Sequence, residues 1–375
     1  MSKIDVPFFN WSQLYSERRA DFVRILDETA ARGAFILQDE VADFEAALAE
    51  FLGVKHVIAL ADGTNAMLLG LRACGLEKGD EVILPSHGFI AAAQAIHFAG
   101  GVPVPVELSE DDWLMDPGAV AAAVTAKTRA IMPVHVNGRV CDMKPLRSIA
   151  EEHGLLIVED AAQAVGARYN GEVAASFGQW GSFSFYPSKT LGCFGDAGAL
   201  ATNVDSVAEN VRSMRNHGAD QSKSIPLDCA IWGTNCRMDN LHAAVLLYKL
   251  SYYQEVLDKR RSIAARYHEG LSDLERLRLP PPPDINLDRY DIFQNYEMRC
   301  HSDRDGLRKY LAERGVGTIV QWGGFGMHQL EGLGFSQKLP RTDLFFQEAL
   351  LLPMNHLLSD DQVNHVIGSV REFLL

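Results

Sequence analysis

Leu155-Leu156-Ile157-Val158-Glu159-Asp160-Ala161-Ala162-Gln163 is the stretch that decides the fold. Its first four residues are all apolar, with no polar alternation. Such a run describes a strand covered on both faces, and strands of that kind build parallel sheets. Two acids then close the run. A carboxylate at the end of a buried strand is costly unless something partners it. Asp160 is therefore expected either to cap a following helix or to meet a ligand.

The same pattern repeats outward from this strand. Apolar runs at 56–60, 81–84, 102–106 and 129–134 read as further strands, and 63–73, 89–98 and 144–152 read as helices. Strands alternating with helices imply an α/β fold whose parallel sheet is covered on both sides. Three polar clusters fall at carboxyl ends of strands, where such sheets bind ligands: Asp62-Gly63-Thr64, Ser86-His87-Gly88-Phe89, and residues 160–163. A long helical stretch opens at Asp239 and runs towards Tyr267, with Leu241, Ala244, Val245 and Tyr248 on one face. Pro280-Pro281-Pro282-Pro283 then makes a rigid extended break. The end of the chain carries Ser359-x-x-Gln362, a capping box, before Val363, Val366, Ile367 and Val370 at helical spacing. The expected division is a large domain over 1–245, with an N-terminal helical segment, and a small C-terminal α+β domain over 246–375.

Composition narrows the function classes. With 375 residues, 47% of them hydrophobic, the chain has material for two domains and a sizeable core. A net charge of −14 argues against nucleic acid or an anionic membrane as partner, since both call for basic patches. Six scattered cysteines without a C-x-x-C pair predict reduced thiols in a cytoplasmic enzyme, not a disulfide framework or a zinc site. The first ten residues lack the apolar core of a signal peptide, and no apolar run is long enough to span a bilayer. No Walker A motif, no strand-linked G-x-G-x-x-G and no H-E-x-x-H occurs, so nucleoside triphosphate, dinucleotide and metal readings have no support.

Lys189 stands in Ser184-Phe185-Tyr186-Pro187-Ser188-Lys189-Thr190-Leu191-Gly192, behind a strand-like aromatic run. Most lysines are solvated, but apolar surroundings lower the pKa of an amine and make it a nucleophile. An amine of that kind together with a strand-end carboxylate is what pyridoxal phosphate (PLP) chemistry needs. The amine joins the cofactor, and the carboxylate keeps its pyridine nitrogen protonated. Gly63-Thr64-Asn65, between strand and helix, is either an ordinary turn or a phosphate site made of free backbone amides. Phe89 either packs in the core or stacks on a ring. Asn235, in Gly233-Thr234-Asn235-Cys236-Arg237-Met238-Asp239, suits a turn.

The order of these motifs along the chain resembles the PLP-dependent sugar aminotransferases of the DegT or StrS type. The resemblance implies the fold of the aspartate aminotransferase group, fold type I of the PLP-dependent transferases: a large domain with a mostly parallel sheet and a small C-terminal domain. It implies Lys189 as the amine that holds the cofactor and then shuttles the proton, and Asp160 at the pyridine nitrogen. Gln163 would meet the ring hydroxyl and Phe89 would stack on the ring. Gly63, Thr64 and Ser184 would hold the phosphate. Asn235 would reach the phosphate of the neighbouring subunit's cofactor, so the active form would be at least a homodimer. Glutamate would be the amino donor and a keto sugar on a nucleoside diphosphate the acceptor.

Some residues depart from the family's usual pattern. Asp62 replaces a frequent Ser or Asn, and a carboxylate there is compatible with phosphate only if it turns away. Gly88 replaces Thr, and Thr190 replaces Asn. Gln321-Trp322-Gly323-Gly324 replaces a His-Tyr-Pro-type segment of the sugar pocket. The stretch Leu191-Gly192-Cys193-Phe194-Gly195-Asp196-Ala197-Gly198 resembles the branch acting on 3-keto sugars, with the 4-keto branch as the alternative. A dehydratase of the same fold would carry His in place of Lys189. A PLP-binding regulatory or sensor protein would be expected to append a basic DNA-binding region, which this chain lacks.

Overall fold

The computed structural model describes residues 4–219, 228–283 and 288–375. Its large sheet is built from β1 (His56–Leu60), β2 (Glu81–Pro85), β3 (Val102–Val106), β4 (Thr128–Ile131), β5 (Leu156–Asp160), β8 (Trp180–Ser184) and β9 (Gly198–Thr202). The short strands β6 (Arg168–Tyr169) and β7 (Glu172–Val173) pair with β11 (Arg289–Tyr290) in a small side sheet. A third sheet joins β10 (Leu277–Arg278), β12 (Tyr296–Cys300) and β13 (Ala349–Leu352) in antiparallel fashion.

The large sheet runs in the order β1-β9-β8-β5-β4-β2-β3. The β2–β3, β2–β4, β4–β5 and β5–β8 pairs are parallel. Only β9 opposes its neighbours, pairing antiparallel with both β1 and β8. The fold is thus the expected α/β arrangement with a mostly parallel sheet. Because β5 and β8 are neighbours in register, with Asp160 opposite Ser182, the strand-end acid lies beside the segment that leads into Lys189.

Helices cover both faces. On one face, Gly63–Ala73 lies so close to β8 that a Cβ on Gly70 would stand 2.5 Å from the indole of the buried Trp180. Only a glycine lets the two elements approach that far. On the other face, Asp39–Leu52 and Asn240–Leu250 pack Val41, Phe44, Leu48, Val245 and Leu246 into the main core.

Helix Tyr253–Leu271 carries the chain from one core to the next. Its Tyr253, Val256 and Leu257 belong to the main core, whereas Ile263, Ala264, Tyr267 and Leu271 belong to the core of the third sheet. Val6, near the start of the chain, also packs in that second core and bridges Val316. The closing helix Asp360–Leu374 begins with the capping box foreseen from sequence: Gln362 N donates to Ser359 Oγ at 3.2 Å, and Ser359 N donates to Gln362 Oε1 at 3.0 Å.

Several element boundaries differ from the sequence reading, three of them by enough to matter here. Strand β4 ends at Ile131, short of 134, and Pro133 two residues later has no N–H to continue a ladder. The helix expected from Phe89 starts at Ala91, which leaves Phe89 outside it. The single long helix expected after Asp239 is two helices, broken at Ser251 and Tyr252.

Candidate active site

The carboxyl ends of β1, β5 and β8 open onto one cavity of about 830 Å³. Seven of the eight residues singled out from sequence line it: Gly63, Thr64, Phe89, Asp160, Gln163, Ser184 and Lys189. Asn235 does not. It is exposed, and its backbone bridges Asn216.

Helix Gly63–Ala73 presents its N-terminus to this cavity. Asp62 caps it, accepting from Asn65 N at 2.8 Å and from Asn65 Nδ2 at 2.6 Å. The Asp62 carboxylate is thereby turned onto the helix, which removes the conflict with an anion that its sequence position raised. A Cβ on Gly63 would stand 3.0 Å from Ser184 Cβ, so the absence of a side chain lets the helix end and the end of β8 converge. Backbone N–H groups at such an end, with a hydroxyl beside them, make an anion cradle.

The acidic pair at the end of β5 divides between two tasks because successive strand residues face opposite ways. Glu159 is completely buried and structural. Its Oε1 accepts from Phe177 N at 2.7 Å and Gly178 N at 3.2 Å, and its Oε2 accepts from Ala175 N at 2.7 Å. His135 Nε2 lies 3.0 Å from the same Oε2, and His135 Nδ1 accepts from Cys141 N at 3.2 Å, which places the imidazole proton on Nε2. Asp160 faces the cavity and accepts from Ala162 N at 3.0 Å, the turn contact that its capping chemistry allows. It makes no direct ion pair among the described residues. Burial pushes its carboxyl above the ordinary value, against the Ala162 N–H and the Lys189 charge, which both favour the anion. A cationic group in the cavity would remove that cost.

Lys189 sits in the loop after β8, within electrostatic reach of Asp160. Its side chain is half-buried in the cavity wall. Loss of water lowers its pKa to about 8, although Asp160 pulls the other way. The loop is clasped by Gln294, two residues before β12, whose Oε1 accepts from Thr190 N at 2.7 Å and Thr190 Oγ1 at 2.6 Å. Gln294 Nε2 donates to Ser188 O at 2.9 Å, so both neighbours of Lys189 are fixed by one side chain. Gln163 is oriented in the same manner. Its Oε1 accepts from Asn137 N at 2.7 Å, which leaves the donor Nε2 for the cavity. Phe89 is 56% exposed, an unpacked aromatic face at the cavity edge.

An amine of lowered pKa, a buried acid in want of a cation, an oriented amide donor, an open ring face and an anion cradle together fit a phosphorylated pyridine ring. A comparison with known families agrees. Residues 16–371 match the model of the DegT/DnrJ/EryC1/StrS aminotransferase family. The chain belongs to that family. DegT/DnrJ/EryC1/StrS aminotransferases depend on PLP, and this chain is accordingly a PLP-dependent aminotransferase.

Among its relatives is the dTDP-3-amino-3,4,6-trideoxy-alpha-D-glucose transaminase of Streptomyces venezuelae. It is 38% identical, over 98% of this chain and 96% of the relative. A protein of Geobacillus stearothermophilus named as a pleiotropic regulatory protein is 36% identical over 99% of both chains. Among solved structures, DesV of S. venezuelae in complex with a ketimine intermediate superposes with a TM-score of 0.93 at 38% identity. That match covers 99% of this chain and 98% of DesV.

Several residues of this DegT/DnrJ/EryC1/StrS aminotransferase site escaped the sequence reading. Asn137 holds Gln163 through its backbone, in a left-handed conformation with φ 60°, and donates its Nδ2 to Glu297 Oε2 at 2.6 Å. Its Oδ1 accepts from Asn295 Nδ2 at 2.8 Å. The available signal was the polar Gln294, Asn295 and Glu297 set in and beside strand β12. Tyr186 also lines the cavity, as do Trp322 and buried Gln321 of the segment that the sequence reading places at the sugar pocket. His328 is structural. Its Nδ1 lies 2.7 Å from Ser86 Oγ and its Nε2 lies 2.9 Å from Asp343 Oδ1, tying the end of β2 to helix Pro340–Glu348.

Proposed function

We propose that this chain moves an amino group from glutamate to C3 of a keto hexose carried on a nucleoside diphosphate, and that it works as a cytoplasmic homodimer. The observation that carries the reading is the convergence of Lys189 and Asp160 on one cavity beside the free amides of Gly63 and Thr64. The 3-amino product in the name of the S. venezuelae transaminase, 38% identical to this chain, supports the choice of C3.

When bound, PLP supplies the electron sink that lets a proton leave the amino-bearing carbon, and it stores the amino group between the two half-reactions. The protein's residues do the rest. Gly63 N, Thr64 N and Ser184 Oγ would hold the phosphate. Asp160 would keep the pyridine nitrogen protonated, Gln163 Nε2 would donate to the ring hydroxyl, and Phe89 would cover the ring. Lys189 Nζ would be the amine that attaches the cofactor and the group that takes and returns the proton at the reacting carbon.

The volume beyond the cofactor is left for the sugar. Gln321 is 5% exposed, and its Oε1 has no hydrogen-bond partner among the described residues, so it offers an acceptor to a sugar hydroxyl. Trp232, 94% exposed and three residues before Asn235, supplies apolar surface for a second copy to cover, which would carry Asn235 to the neighbour's phosphate.

A panel of 3-keto and 4-keto nucleotide sugars assayed with glutamate tests the substrate. The highest kcat/KM is expected for a 3-keto sugar. A clear preference for 4-keto sugars would overturn that part of the reading.

The lowered pKa of Lys189 makes a second expectation. The neutral amine is the nucleophile, so the rate at which the apo-protein takes up PLP should rise with pH and level off just above about 8. A rate still climbing towards the ordinary lysine range would contradict the desolvated site. The name of the G. stearothermophilus relative raises a regulatory reading, in which PLP is bound without turnover. Consumption of the bound cofactor's aldehyde form by glutamate separates the two.

A further inference from the structure

A second, small cavity of about 50 Å³ lies on the far side of the lysine loop, and Lys189, Lys249, Arg260 and His356 all reach it. No aspartate or glutamate is among the described residues that line it. That is unexpected in a chain with 49 acids against 35 lysines and arginines.

Lys249 and Arg260 are 7% and 6% exposed, and neither has a carboxylate partner among the described residues. Lys249 Nζ donates to Gly192 O and lies 5.3 Å from the Phe194 ring centre and 5.8 Å from that of Phe22, so one backbone acceptor and two ring faces serve three N–H groups. Arg260 Nη1 donates to Phe293 O, Gln294 O and Met354 O at 3.0, 3.1 and 2.9 Å, while its Nε is buried with no partner. Carbonyl dipoles offset part of the charge, but burying two cations without an anion remains costly. The neighbouring imidazole reports the same field. Burial, together with the Arg260, Lys249 and Arg18 charges, lowers the pKa of His356 to about 3.

We propose that this cavity binds one small inorganic monoanion, of chloride or bromide size, between Lys249 and Arg260. About 10–15 Å³ of such space suffices for one water-sized group, so about 50 Å³ has room for a halide. The site shares Ser188 and Lys189 with the large cavity, so the anion would support the lysine loop from its other side. The proposal does not depend on which sugar, or which donor, the enzyme uses.

The full-length protein, prepared free of halide, tests it. At constant ionic strength Tm should rise saturably when gluconate is exchanged for chloride or bromide. In Lys249→Met, halide binding should weaken by more than about tenfold. An equal halide effect in the variant, or none in the wild type, would overturn the proposal. Should Lys249→Met fail to fold, wild-type crystals grown in bromide decide. An anomalous peak between Lys249 and Arg260 is expected, and a water or a partner subunit's carboxylate in that place refutes it.

Discussion

Lys189→Ala is expected to abolish transamination while leaving a folded protein that still binds PLP through its phosphate. The lysine has two tasks, attachment and proton transfer. Loss of the proton transfer alone costs about 10²–10⁴-fold. The side chain is only half-buried and its loop is held by Gln294 through Ser188 and Thr190, so the truncation leaves that clasp in place. Borohydride should fix the cofactor covalently to the wild type and not to the variant. A lysine-free variant turning over at the wild-type rate would remove the mechanism proposed here.

Asp160→Asn is expected to lower kcat by about 10²–10³-fold, the usual cost of losing one preorganised electrostatic group. The amide is nearly isosteric and its oxygen can still accept from Ala162 N, so the turn after β5 should survive. What disappears is the negative charge. The burial that raises the Asp160 pKa also means that the empty site gains nothing from ionising it. Thus the apo-variant should be no less stable than the apo-wild type, whereas the stability added by PLP should shrink. A variant with kcat within a few-fold of wild type would show that Asp160 does not partner the cofactor. Equal loss of stability with and without PLP would make it a structural residue.

The sequence made the sheet legible because its strands are short, continuously apolar and separated by helices, a pattern with few alternatives. It could not show that β9 runs against its neighbours, since direction leaves no trace in hydrophobicity. The strand-end residues Asp160 and Gly63 were legible because the sheet's geometry places ligands at carboxyl ends, whereas Ser184 came only from the family resemblance. The different fates of Glu159 and Asp160 follow from strand alternation, but only the structure shows which of the two faces the cavity. Asn137, Gln294 and Glu297 were hidden for a different reason. Their importance lies in contacts between residues 104 to 160 positions apart in sequence, and nothing local marks them. The break between Asn240–Leu250 and Tyr253–Leu271 was hidden because no Gly or Pro marks it; Ser251 and Tyr252 are only moderate helix formers and do not announce a stop.

The central claim is that this chain turns over PLP at Lys189 with an amino donor and a keto sugar. The most direct measurement is the absorbance spectrum of the purified, PLP-loaded protein during titration with glutamate. The band of lysine-bound PLP should disappear as the amino group is transferred, and should return when a nucleotide-linked keto sugar is added. A band that glutamate leaves unchanged, or the absence of any such band, would contradict the account.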